Sequence, residues 1–261
     1  MKTSLDALIL SPHPDDAEIF CGGVIATLVD RGHRVGIADC TQGELGSRGD
    51  IKLRKKEAEA ASSVLGISVR ENLKLPDGFL TAEVGSQQGI EQIKSVVSVI
   101  RKHSPRVLFV PYWQGRHPDH EACSALGTKA AFYAALPKFE TTSKEAPHTV
   151  SQVIYYQFRY EFIKPSFVTD ITQAQDRKMK AIKAYASQID PEGKNSNDTK
   201  TLVSSRFTLS SIEARDRYFG AMIGVAYAEA FLLRTALPIE DPVRYFTERP
   251  STGALIFPHR D

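Results

Sequence analysis

The chain has 261 residues, 42% hydrophobic and 25% charged, with a formal net charge of +2. That size suits one large α/β domain with a real core, and the near-neutral balance gives no ground for nucleic acid or an anionic membrane as partner. No apolar run nears the ~20 residues that span a bilayer, the first ten residues lack a signal-peptide core, and three cysteines without a CxxC pair argue against a disulfide framework, so a cytoplasmic protein is expected.

Short β-branched runs alternate with longer helical stretches. "ALILS" (7–11) reads as a buried strand, followed by a helix over 18–31 that Gly32 stops. "RVGIADC" (34–40) is a second strand, and the Gly-rich "TQGELGSRGD" (41–50) leads into a charged helix over 52–65 closed by Gly66. "NLKLPDG" (72–78) is a weaker third strand. Residues 88–103 have helical spacing, with Ile90, Ile93, Val96, Val97 and Ile100 on one face. "RVLFVPYW" (106–113) is the fourth strand, and residues 119–135 are helical. Past residue 137 the rhythm loosens: strands at 152–158 and 167–171, a helix over 172–186, a polar loop over 187–200, and a last long helix over 210–233. The expectation is one domain over 1–261, with a Rossmann-like, mostly parallel core to about residue 136 and a β/α extension over about 137–261.

Two charged clusters stand at the ends of apolar strands. "HPDD" follows the first and supplies His13, Asp15 and Asp16; "RHPDHE" follows the fourth and supplies His117, Asp119 and His120. In a doubly wound sheet of order 3-2-1-4 the first and fourth strands are neighbours, and ligands bind outside their carboxyl ends. Two clusters about 100 residues apart are therefore predicted to meet. Histidines and carboxylates without a cysteine pair suit a catalytic zinc or similar divalent ion. One His and one Asp from the first loop and one His from the second would make the ligand set, leaving the other Asp as general base. Taken alone, each motif could be a turn with a helix cap.

HPDD, TQGELGSRG and HPDH after the first, second and fourth strands resemble the LmbE/PIG-L deacetylases, which remove acetyl groups from N-acetylglucosamine conjugates. "KPSFVTDIT", "KAIKAYASQ" and "YFGAMIGVAYAEAF" resemble most the branch acting on N-acetylglucosaminyl-malate in bacillithiol biosynthesis. The resemblance implies His13, Asp16 and His120 as zinc ligands, with iron(II) or cobalt able to fill the same site. It makes Asp15 the base, His117 the acid or oxyanion partner, and Asp119 the residue that orients His117. Some relatives add a tyrosine oxyanion donor; "SSRFTLSS" offers Phe207 instead. The resemblance also implies a homo-oligomer, in this branch a hexamer.

Malate carboxylates would want arginine forks, and Arg54 matches a substrate arginine of relatives, with Arg48 and Arg116 as further candidates. Glu44 could bind sugar hydroxyls or pair with Arg48. A broader N-acetylglucosamine-conjugate deacetylase or thiol-conjugate amidase is the same-chemistry alternative. A non-catalytic Rossmann-like binding module is disfavoured because no GxGxxG follows the first strand.

Overall fold

The computed structural model describes residues 4–141, 144–156, 164–189, 205 and 207–248. β1 (Ala7–Ser11) and β2 (Val35–Asp39) are buried at all five positions, as strands covered on both faces must be. β3 (Val69–Asn72), β4 (Val107–Pro111), β5 (Gln152–Tyr156), β6 (Phe167–Asp170) and β7 (Ala228–Leu232) complete one sheet in the order β3-β2-β1-β4-β5-β7-β6. The first five strands of that order run parallel, and β7 is antiparallel to β5 and β6. The expected 3-2-1-4 order is present, so the loops after β1 and β4 open side by side.

The helices are α1 (Asp16–Asp30), α2 (Ile51–Leu65), α3 (Gln87–His103), α4 (Pro118–Ala134), α5 (Gln175–Lys183), α6 (Thr208–Ile223) and α7 (Pro242–Thr247). One face of the sheet packs Ile9, Ile37 and Phe109 against α1, α2 and α5; the other packs Leu8, Leu10, Leu108 and Val110 against α3 and α4. Local chemistry sets the ends. Asp50 accepts from the Leu53 amide at the start of α2, and Gly66 closes it at φ 74°. Cys40 and Cys123 are buried free thiols with sulfurs 3.6 Å apart.

Three expectations are corrected. The third strand lies at 69–72, not 72–78: Lys74 takes φ 55° and Pro76 has no amide to donate, so the segment leaves the ladder as a loop tied by Leu73 and Leu75 to the end of β2. The last long helix stops at Ile223, where Gly224 turns left-handed at φ 73°, and "AEAFL" returns as buried β7. The helix expected over 172–186 is a short 3-10 turn, Thr172–Ala174, followed by α5 to Lys183. Residues 157–158 of the expected strand and 190–200 of the expected loop lie outside the described residues.

An ionic cluster fastens α1 to α5, α6 and β7. Lys178, fully buried, pairs with Asp216 at 2.5 Å and Glu229 at 2.8 Å. Glu229 also accepts from the Gly23 and Val24 amides, and Arg215 donates to the Ile19 carbonyl. The helix that begins at Asp16 is thereby held from β7, α5 and α6.

Candidate active site

The loop after β1 is zipped to the end of β2: the Cys40 amide donates to Ser11 and the Thr41 amide to Pro12. It turns so tightly that Asp15 stands at φ 117°, ψ −31°, a conformation that costs a non-glycine residue energy and marks functional sites. Asp15 occupies the cap position of α1, yet its carboxylate makes no cap hydrogen bond. The simple capping explanation of HPDD therefore fails. Across the crevice the capping explanation of HPDH holds in part: Pro118 opens α4 and His117 Nδ1 accepts from the Asp119 amide at 3.3 Å.

The two clusters meet as expected. Asp16 Oδ2 lies 3.1 Å from His13 Nδ1 and 3.2 Å from His120 Nε2. Donors on a tetrahedral zinc with bonds of ~2.1 Å sit about 3.4 Å apart, close to both separations. The ligand atoms of His13, Asp16 and His120 all lie within 4.8 Å of one another. His13, His117 and Asp119 satisfy the same limit, but the Asp119 carboxylate already accepts from the Gly78 and Leu80 amides and His117 caps α4. The first trio is the better cation site.

Electrostatics point the same way. Burial would push the Asp16 carboxyl up, but His120 and His13 hold it well below the usual range. Burial pushes Asp15 up to about 8, opposed by Arg54 and aided by Asp16. His13 overcomes its burial to rise well above the usual imidazole value because Asp119, Asp16 and Asp77 surround it. Asp119 sits at about 2: burial is outweighed by His13 and by the Gly78 and Leu80 amides. Burial, then His120 and His13, keep His117 low. A neutral His117 accepting at Nδ1 carries its proton on Nε2.

Asp119 departs from its expected task. Its carboxylate reaches His13 Nε2 at 3.2 Å, and its contact with His117 runs through its backbone amide. Sequence reasoning missed Asp77, which lies 3.1 Å from His13 Nε2 and accepts from the Leu45 amide. "PDG" reads as turn chemistry, and only the fold brings that turn over β1. The substrate candidates divide. Arg116 is exposed. Arg48 is buried, its carbonyl accepting from Gln188. Arg54 is 4% exposed and gives its guanidinium to the Pro14 and Gly43 carbonyls. Glu44 is exposed and accepts from the Asp77 and Gln42 amides. Phe207 is exposed at the start of α6.

Residues 8–131 match the family described as PIG-L, GlcNAc-PI de-N-acetylase. Over 238 residues the chain is 32% identical to the diacetylchitobiose deacetylase of Thermococcus kodakarensis, covering 85% of this chain and 80% of that protein. The chain belongs to the PIG-L/LmbE deacetylase family. Another member, a probable N-acetyl-α-D-glucosaminyl L-malate deacetylase 2 of Bacillus cereus, is 29% identical over 69% of this chain and 82% of its own. The crystal structure of a conserved protein of Thermus thermophilus superposes with a TM-score of 0.78 at 34% identity, over 90% of this chain and 98% of that one. The α/β fold with its mostly parallel seven-stranded sheet is thus the fold of this family's solved structures. Among the described residues no helix is long and apolar enough to cross a membrane.

Proposed function

We propose that this deacetylase is zinc-dependent and releases acetate from an N-acetylglucosamine conjugate. The observation that carries the reading is Asp16 Oδ2 between His13 and His120, at 3.1 and 3.2 Å, beside the uncapped Asp15. A divalent ion held by His13, Asp16 and His120 supplies Lewis-acid polarisation of the acetyl carbonyl and a more acidic water. Zinc suits two imidazoles and a carboxylate; iron(II) or cobalt would fit the same donors. Asp15, buried and without a cap hydrogen bond, takes the proton of the attacking water in its ionised form, which a divalent ion on the neighbouring Asp16 would favour against the burial that raises its pKa. His117 donates from Nε2 to the developing oxyanion, and its proton can pass to the leaving nitrogen as the amide bond breaks. Asp119 and Asp77 fix the far nitrogen of His13, the outer partners that orient a ligating imidazole.

The resemblance of the later stretches favours malate as the aglycone, with Arg116 the exposed cation for its carboxylates. A neutral second sugar, as in diacetylchitobiose, is the second reading. It is favoured by the burial of Arg48 and Arg54 and by the higher identity to the Thermococcus enzyme. Acetate release from N-acetylglucosaminyl-malate, N,N'-diacetylchitobiose and N-acetylglucosamine, measured side by side, tests both. Release from none of them overturns the proposal and leaves a binding module. We further propose a homo-oligomer, a hexamer if the malate branch is the right one, which light scattering on the purified protein would test.

A further inference from the structure

We infer that Arg70, on the edge strand β3, is a positioning residue for the turn that carries Asp15 and Asp16, an inference that rests on their proposed roles as base and ligand. The turn is stretched between two anchors. At its start Ser11 pairs with Asp39 at the end of β2, and the Cys40 and Thr41 amides hold the Ser11 and Pro12 carbonyls. At its far side Glu18 lies in the first turn of α1. One guanidinium joins both anchors. Arg70 grips Asp39 with Nε at 2.8 Å from Oδ2 and Nη2 at 3.0 Å from Oδ1, and its Nη1 donates to Glu18 Oε1 at 2.5 Å. The same Nη1 lies 3.3 Å from Ser62 Oγ and 3.4 Å from the Ala58 carbonyl, both on α2.

Glu18 depends on that grip. It is fully buried, Tyr185 donates to the same Oε1 at 3.1 Å, and among the described residues Oε2 has no hydrogen-bond partner. A buried carboxylate is held where its cation is, since leaving it unpaired is costly. The place of Arg70 therefore fixes Glu18 and, through the first turn of α1, the two aspartates just before it. The φ of 117° at Asp15 persists only where the surroundings over-determine it, and a clamp on both flanks of the turn does so. An ammonium, a single point charge on a flexible stem, cannot grip Asp39 with two prongs and reach Glu18 as well. The fork is spent on protein acceptors, so the reaction feels Arg70 through the turn alone.

The test uses the full chain and the variants Arg70→Lys, Arg70→Ala and Glu18→Gln. Four quantities are measured for each: zinc affinity by chelator competition, amide hydrogen exchange at His13, Asp15 and Asp16, Tm, and kcat and KM on whichever of the three conjugates releases most acetate. Arg70→Lys should lose about 10–100-fold in zinc affinity, the usual effect of removing an outer support of a metal ligand. At saturating zinc its kcat should fall about 100-fold, the cost of a catalytic group misplaced by ~1 Å. KM should change by less than about twofold, since no substrate contact is lost. Exchange should rise at 13–16 and not in β1. Millimolar guanidinium ion, far below denaturing concentration, should restore part of the zinc affinity and kcat of Arg70→Ala. Glu18→Gln leaves Arg70 and Asp39 balanced in charge, so it should keep a Tm near the parent's and still lose zinc affinity and kcat. That variant decides the matter if neither Arg70 variant folds. A lowered Tm with zinc affinity, kcat and exchange unchanged would overturn the inference and leave Arg70 as support for the fold. A raised KM with unchanged kcat would overturn it in favour of substrate contact. Should the parent release no acetate, the proposed function fails, and zinc affinity and exchange still decide whether Arg70 holds the turn; parent-like values in the variants overturn it.

Discussion

Lys178→Met should be among the most destabilising single substitutions in the molecule. The lysine is fully buried, and its stem crosses α1 so closely that a Cβ on Gly22 would lie 2.9 Å from its Cγ. Methionine keeps most of that volume and removes the charge, leaving Asp216 and Glu229 buried without their shared cation. Breaking a buried ion pair from one side costs about 3–5 kcal/mol. The lower end applies here, because Asp216 keeps Arg215 and Glu229 keeps two amides of α1. At roughly 2–4 °C per kcal/mol for a chain of this size, the Tm should fall by about 6–12 °C for a loss of ~3 kcal/mol. Thermal unfolding followed by circular dichroism at one pH and metal concentration measures it. A fall under about 3 °C would mean that the two carboxylates find other partners and that the cluster does not fasten α1.

Asp15→Asn should bind metal like the parent and lose about 10²–10⁴ in kcat, the usual contribution of a general base; metal loss in a folded variant would reassign Asp15 as a ligand. His120→Ala should lose metal and activity together, whereas His117→Ala should keep its metal and lose turnover, as elemental analysis beside rate measurements will tell. Asp77→Asn should weaken metal affinity by about 10–100-fold through the freed His13 ring, and an unchanged affinity in a chelator competition would remove Asp77 from the site.

The β1 and β4 clusters were legible because parallel strands buried on both faces read as uninterrupted apolar runs, and winding order makes their ends neighbours. β7 was not legible: "YAEAF" is rich in good helix formers, and its strand state depends on Gly224 and on pairing with β5 and β6. The burial of Arg54 was hidden because Lys52, Lys55 and Lys56 make its stretch look like a solvated face, while the fold turns that one position under the Gly-rich loop. Asp77 was hidden by a turn whose tertiary destination no local pattern encodes. Lys178 likewise reads as one more surface lysine until three elements close over it.

The most direct measurement is acetate release and metal content on the same samples: the parent as purified, after chelation, and after return of zinc, with His120→Ala alongside. Deacetylation of at least one N-acetylglucosamine conjugate should vanish on chelation, return with about one zinc per chain as a three-ligand catalytic site requires, and never return in His120→Ala. Full activity in the chelated, metal-free parent, or restored activity in His120→Ala, would contradict a deacetylase built on His13, Asp16 and His120.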